Sequence, residues 1–550
     1  MNKNFLKIVA PLILGIALIS TSCKKYLYSG PISSTYGAQF WSSQTAVEQA
    51  TLAMYGQLRT NLRANGGVDA NVAAHFVNGD LVAGTFTPVS GSFLSYSLSA
   101  NATSSSYNHG IPFYFGGVPY WEGTLHNWSR YYQLIAQANL VLQNVPKIPA
   151  SAFTSEAVRN KYIAEALFMR AFTYFYMIRI WGDPVFVNKL YQDIDYGNIP
   201  PVARTAESIV LDSCLTDLKT AANYFTAPSI GSAPIRANAG SNAALIAHIY
   251  AWKHQYDSAH VYCQKVINNY GYGLEPMSTY TNLWKGMGST ENIFEISMQV
   301  NNNDPNFKQG ATNSWTEAQF NCFAAFMKSP YLPNNIKTTC WVAPLPGIVQ
   351  GLANTSGFTQ PTTANPSGTG TGSLFVDTVR DARFHQVLLP VAAANNDPKG
   401  YLMTKYTAFS YQDSVKKILP YFNNNLVMFR LADIILLDAE ALANLGDLNG
   451  ANAQLAKTES RAGLPAYAPT DKTSMLLEIL KERGREFIGE GSWFYDLIRT
   501  EQQLKGLEKV GYTSSGRTDP NLKGWYWPLQ MGVLFPQDNL LTQNPYFLTH

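Results

Sequence analysis

Apolar residues recur at helical intervals through long blocks of the chain. Ala46, Ala50, Ala53 and Tyr55 set the rhythm over 43–63, and the same spacing predicts helices over 129–145, 157–181, 206–224, 239–252 and 256–269. A last group covers 426–445, 448–461, 473–488 and 492–504. Several helices come as pairs joined by very short turns. In "AALIAHIYAWKHQYDSAHVYCQKVINN" a small-residue helix ends near Lys253, and Ala259 lies in the first turn of the next. Gly446-Asp447 makes the same turn in "LLDAEALANLGDLNGANAQLAKT", with Ala451 and Leu455 facing back. Small residues at such crossings let helices approach closely, as in tetratricopeptide pairs, although no fixed period of about 34 residues is kept.

Between the helical blocks the pattern changes. Residues 66–120 hold only Asp69 and Asp80 as charges but nine aromatics, and residues 301–376 hold five charges and nine aromatics, Phe323 among them. Irregular insertions of this length are functional or disordered, and aromatic richness argues against disorder. These two stretches are the candidate ligand surface. An aromatic face packs against the axial C–H groups of a sugar ring, while Asn, Gln, Ser and Thr bond its hydroxyls. Trp121, Trp315 and Trp341 are the best platforms, with Tyr96, Tyr114 and Phe320 behind them. For any single aromatic the commoner outcome is a small core beneath its own loop. Trp128, directly before a helix, is assigned to packing.

The periodicity makes the fold mainly α, with tetratricopeptide-like helix pairs, and 550 residues fit one large domain or two intimate ones. The helical scaffold is expected over about 41–65, 125–270 and 426–505, the loop-rich part over about 66–124 and 275–425, and a C-terminal segment over 506–550.

Charge is scarce, at 14% of residues, so its one dense cluster stands out: "ERGREFIGEGSWFYDLIRT" (482–500) carries seven charged side chains. Glu482, Glu486 and Glu490 recur every four residues and share a helical face. A glycoside hydrolase needs two carboxylates about 5–9.5 Å apart, one with a raised pKa. Here Arg485 lies three residues after Glu482 and Arg483 three before Glu486, and such pairing lowers a carboxylate pKa. The cluster therefore reads as structural, with Gly489 and Gly491 ending one helix and Trp493, Phe494, Leu497 and Ile498 burying the next, leaving Asp496 and Arg499 on its other side. Glu440, in the apolar "IILLDAEALANL", should be buried and paired, with Arg461 as the expected partner. No phosphate loop, G-x-S-x-G elbow or H-E-x-x-H helix occurs. The formal charge of +3, without basic runs, disfavours nucleic acid.

The chain begins "MNKNFLKIVAPLILGIALISTSCKK". Lys3 and Lys7 precede an apolar run from Ile8 to Ile19, too short to span a bilayer, followed by small residues and Cys23. This is the layout of a bacterial lipoprotein signal (1–22), with Cys23 the lipidated mature N-terminus; the usual Leu three residues before the cysteine is absent. Removing Lys3 and Lys7 leaves 40 − 2 = 38 basic residues against 37 acidic ones, nearly neutral. Of the other cysteines, Cys214 and Cys263 lie in helical patterns as small apolar residues, while Cys322 and Cys340 share a loop-rich region and are open to pairing. No C-x-x-C pair suggests zinc.

"EALFMRAFTYFYMIRIWGDPVFV" (165–187), "FRLADIILLDAEALANLGD" (429–447), "RAGLP" (461–465), "KERGREFIGEGSWFYDLIR" (481–499) and "LLTQNPYF" (540–547) together resemble SusD/RagB-type outer-membrane lipoproteins of Bacteroidetes. The blocks keep the family's order across the mature chain. The chain departs in two places: Asp433 stands where Glu is usual, and "AKTESRAG" has Ala456 and Glu459 where Asn and Arg are common. The resemblance implies a single mainly α domain (23–550), with tetratricopeptide-like helix pairs forming one scaffold face and a loop-rich, aromatic-rich part carrying the ligand site, in a non-enzymatic, surface-exposed, lipid-anchored protein of the outer membrane. It would bind oligosaccharides and deliver them to a SusC-like TonB-dependent transporter, without an obligate cofactor. Some members hold calcium, for which "NNNDPN" (301–306) is the one hint. Competing expectations are a glycan-degrading surface enzyme, a pure interaction scaffold, and capture of peptide or glycoprotein nutrients by the same lid mechanism.

Overall fold

The computed structural model describes residues 40–63, 73–80, 86–88, 125–189, 200–298, 323, 326, 342–344, 380–391, 400–413, 415, 418–467, 469–502, 519 and 521–549. Fourteen α-helices are formed among these: α1 (Gln44–Arg63), α2 (Ala74–Gly79), α3 (Ser129–Asn144), α4 (Glu156–Trp181), α5 (Glu207–Ala221), α6 (Ala239–Trp252), α7 (Tyr256–Asn269), α8 (Ala382–Val387), α9 (Leu431–Leu445), α10 (Leu448–Arg461), α11 (Lys472–Glu486), α12 (Trp493–Arg499), α13 (Met531–Leu534) and α14 (Tyr546–Thr549). The fold is mainly helical, and the ten helices expected from periodicity are present as helices or helix cores.

Each long helix packs on its chain neighbour: α1 on α3, α3 on α4, α4 on α5 and α6 on α7, then α7 on α9, α9 on α10 and both of these on α11. The turns between pairs are built locally. Gly446 takes φ +90°, which a side chain rarely adopts, and Asp447 then caps α10 by accepting from the Gly450 amide at 2.8 Å. Ala451 and Leu455 are fully buried on the facing side of α10. Helix α4 is buried on nearly every side from Ala164 to Trp181, as an all-round apolar helix requires, and is the centre of the main core. Trp128 is buried against Trp181 and Tyr132, and Cys214 and Cys263 are free, buried thiols.

Four antiparallel strand pairs accompany the helices among the described residues: β1 (Phe86–Pro88) with β3 (Val342–Pro344), β2 (Asn292–Ser297) with β8 (Asn425–Arg430), β4 (Leu388–Val391) with β5 (Gly400–Met403), and β6 (Phe409–Asp413) with β7 (Ile418–Phe422). Strand β8 corrects the expectation that a helix starts at 426. Residues 426–429 are apolar and all but Met428 are fully buried, so periodicity cannot separate a buried strand from a buried helix there. Pairing with β2 decides it, and the chain turns into α9 at Arg430.

Candidate functional site

All six expected platform residues, Trp121, Trp315, Trp341, Tyr96, Tyr114 and Phe320, lie outside the described residues, as do Cys23, Cys322, Cys340 and the 301–306 stretch. The structure does describe the ground on which the two charge-poor stretches stand. Phe76 of α2 comes from the first stretch, and Phe323 and Phe326 come from the second. The Phe76 ring meets Phe326 edge-on at 4.8 Å between centroids and packs against Phe323 at 6.0 Å. Phe323 in turn stacks on Tyr406 at 4.3 Å. All four rings are buried, so Phe323 is core and not a platform. Strands β1 and β3 also join the stretches, with Phe86 opposite Pro344 and Pro88 opposite Val342. Chain segments more than 200 residues apart therefore form one unit.

That unit is bolted onto the Gly-Glu-Gly break after α11. The Tyr406 hydroxyl donates to the Gly489 carbonyl at 2.9 Å. His75 lies 3.0 Å from the Glu490 carbonyl through Nε2 and 3.0 Å from the Tyr176 hydroxyl through Nδ1. The carbonyl can only accept, which assigns the proton to Nε2 and makes Nδ1 the acceptor from Tyr176. Burial pushes the His75 pKa down to about 4, consistent with that neutral tautomer. Asp80, at the end of α2, accepts from the Gly491 and Trp493 amides at 2.8 and 3.4 Å, and burial pushes its carboxyl up to about 7. The approach needs glycine on both sides. A Cβ on Gly79 would lie 1.9 Å from the Gly491 carbonyl oxygen, and one on Gly491, at φ +78°, would lie 2.1 Å from His75 Nε2.

Beneath the break lies a buried ionic network. Arg383 of α8 binds Asp381 at 2.8 Å, Glu482 at 2.7 Å and Glu486 at 2.8 Å. Arg430 reaches Glu291 at 2.7 Å, Glu486 at 2.5 Å and Glu490 at 2.9 Å. Arg461 binds Glu291 at 2.7 Å and also Glu486, and Lys405 binds Glu490 at 2.6 Å. Burial alone would raise Glu486, but Arg461, Arg430 and Arg383 outweigh it and hold its carboxyl well below the usual range. Glu482 is likewise held low against its burial, by Arg383 and Arg485. Neither is set as a general acid.

Partner choice differs in two places from the spacing argument. Glu482 does bind Arg485 at 2.8 Å, as expected. Arg483, however, turns away from Glu486 to Asp496 at 2.8 Å and Asp433 at 2.7 Å, because it leaves α11 on the side that faces α9 and α12. Glu440 is buried and paired as expected, but with Arg499 at 2.7 Å, since Arg461 is drawn into the Glu291–Glu486 pair. Asp496 and Arg499 are buried too, 2.7 Å apart. Asp433 is shared between Arg483 and His248, each at 2.7 Å. Glu459 is 2% exposed; burial, then Glu482 nearby, pushes its carboxyl up to about 8 while Arg485 stays 3.9 Å away.

Sequence reading missed Arg383, Glu291, Arg430 and Lys405. Arg430 did carry a signal, since it interrupts the apolar run "LVMFRLADIILL", where a buried charge must be paired. Among the described residues no cluster of three or more His, Cys, Asp or Glu is arranged to hold a metal, and no helix is long and apolar enough to cross a membrane.

Two family models match the chain. Residues 380–547 match the SusD family, and residues 93–251 match a model described as starch-binding, associating with the outer membrane. The SusD-like protein P38 of Formosa agariphila is 23% identical over 99% of this chain and 100% of its own. A SusD homolog from Bacteroides thetaiotaomicron superimposes with a TM-score of 0.67 at 23% identity, covering 92% of this chain and 98% of the other. A laminarin-binding SusD-like protein superimposes with a TM-score of 0.60 at 21% identity over 92% of this chain and 99% of its own. Helix-pair scaffold, C-terminal charge motif and matches along the length agree: the chain belongs to the SusD/RagB family.

Proposed function

We propose that this protein is a non-catalytic glycan-binding lipoprotein of the outer membrane. It is anchored through Cys23, displayed at the cell surface, and hands oligosaccharides to a SusC-like TonB-dependent transporter. The observation that carries the reading is the union of the two charge-poor, aromatic-rich stretches, paired through β1 and β3 and rooted together on Phe76, Phe323 and Tyr406. Stretches poor in charge and rich in rings and amides suit a neutral oligosaccharide. The outer-membrane description of the matching family model and the laminarin-binding relative support the same reading. Trp121, Trp315 and Trp341 are the proposed platforms, with Tyr96, Tyr114 and Phe320 around them.

A glycan array on the protein from Cys23 onward tests this directly. Binding without release of reducing ends is expected, and replacing any one of the three tryptophans by Ala should weaken it about tenfold, equivalent to about 1.4 kcal/mol. Three variants that all bind like wild type would remove the site assignment. Steady release of reducing ends would instead establish a glycan-degrading enzyme. A β-barrel that co-purifies while no glycan responds would favour the scaffold reading, and a TonB-dependent barrel encoded next to this gene would support delivery.

A further inference from the structure

A second polar feature lies at the base of the same junction, beside the ionic network. A cavity of about 60 Å³ opens between the end of α4, the start of α9 and the first turn of α12. That is room for a few waters or one small ion. Arg430, Arg483 and Arg499 line it, and each is already engaged: Arg430 by Glu486 and Glu490, Arg483 by Asp433 and Asp496, Arg499 by Glu440 and Asp496.

Arg179 is different. Its guanidinium lies among three aromatic rings, 4.4 Å from the Tyr495 centroid, 4.6 Å from Phe175 and 5.4 Å from Tyr176. Its Nε finds no acceptor, and no carboxylate among the described residues closes an ion pair with it. The two nearest acids are spoken for. Both oxygens of Asp433 are bound, one by Arg483 and one by His248, and both oxygens of Asp496 are bound, one by Arg483 and one by Arg499. The Ser492 hydroxyl, also on the cavity wall, has no hydrogen-bond partner. Unpaired donors thus face a confined space whose wall carboxylates, Asp433, Asp496 and Glu490, already accept at both oxygens, and a buried cation without a counterion is costly.

We propose that this cavity is a binding site for a small monovalent anion, chloride or a compact carboxylate, held by the Arg179 guanidinium and the Ser492 hydroxyl. Ring faces on Arg179 leave only its edge, where the N–H groups lie, to meet a ligand, and a planar fork of donors suits an anion. Burial lowers the Arg179 pKa against the pull of the surrounding acids and tyrosines, as expected for a cation whose partner is missing. Because His75 and Gly491 also line the cavity, an anion here would brace the root of the first charge-poor stretch from below.

Thermal melts of the mature protein in sodium chloride, compared with sodium gluconate at matched ionic strength, provide the test, gluconate being too large for the cavity. Chloride should raise Tm saturably by about 1–2 °C beyond gluconate, and Arg179→Met should abolish the difference. A saturable response to formate but not to chloride would assign a carboxylate occupant. Equal responses in wild type and variant to both ions would overturn the proposal. Should Arg179→Met fail to fold, crystals of wild type in bromide decide independently. An anomalous peak within hydrogen-bond reach of the Arg179 guanidinium is expected, and water alone in the cavity would overturn the site.

Discussion

Glu440 and Arg499 illustrate how a charged pair behaves once water is removed. Both are almost completely buried, 2.7 Å apart, and Arg499 also binds Asp496. Removing one partner strands the other in a low-dielectric interior. Glu440→Ala is therefore expected to destabilise the protein by about 3–5 kcal/mol, measured by denaturant unfolding. A melt overlaying wild type would show the pair to be dispensable. Glu459 is the opposite case, an acid whose burial is poorly compensated. Its folded-state pKa of about 8 lies above the ordinary value of 4.5, so the fold favours its protonated form. Folding stability is then undiminished below pH 4.5 and falls as pH rises toward 8, where the buried group must ionise. Glu459→Gln removes that ionisation and should stabilise the protein at pH 8 by about 2–4 kcal/mol, with the gain fading toward pH 4.5. Identical pH dependence of wild type and variant would refute the assignment.

At the scale of elements, the decisive contact is the seating of α2 on the break between α11 and α12. It depends on Gly491 twice, for its φ of +78° and for the space its missing side chain leaves to His75. Gly446 separates these two effects, since it has a similar positive φ of +90° but open space where a Cβ would go. Gly446→Ala should cost about 1 kcal/mol, the backbone term alone, whereas Gly491→Ala should cost about 3 kcal/mol or more. Equal costs for the two would mean that α2 shifts without penalty and does not anchor the stretch above it. The same comparison separates scaffold from site. An anchor variant should lose glycan binding together with stability, while a platform tryptophan should lose binding alone.

Across the whole molecule, much of the scaffold could be read from residue order. The periodic blocks became α1, α3–α7 and α9–α12 to within a few residues, because an amphipathic helix writes its buried face into neighbours three and four positions apart. Buried Trp128, Cys214 and Cys263 followed from the same local pattern. The start of α9 did not, because a short run of buried residues looks alike as strand or helix until β2 supplies a partner. The charge motif forms buried ion pairs, most of which were not visible in its spacing. Arg430 meets Glu291 across 139 positions, and Arg383 meets Glu486 across 103. The sequence by itself determined which segments become helices, where their short turns fall, and that two charge-poor stretches interrupt them, since these depend on near neighbours. Only the tertiary structure decided which cation each carboxylate binds, that the two stretches pair through β1 and β3, and that Arg179 is left facing a cavity. Those outcomes depend on which elements cross, and a crossing is settled by packing over the entire chain rather than by any local spacing.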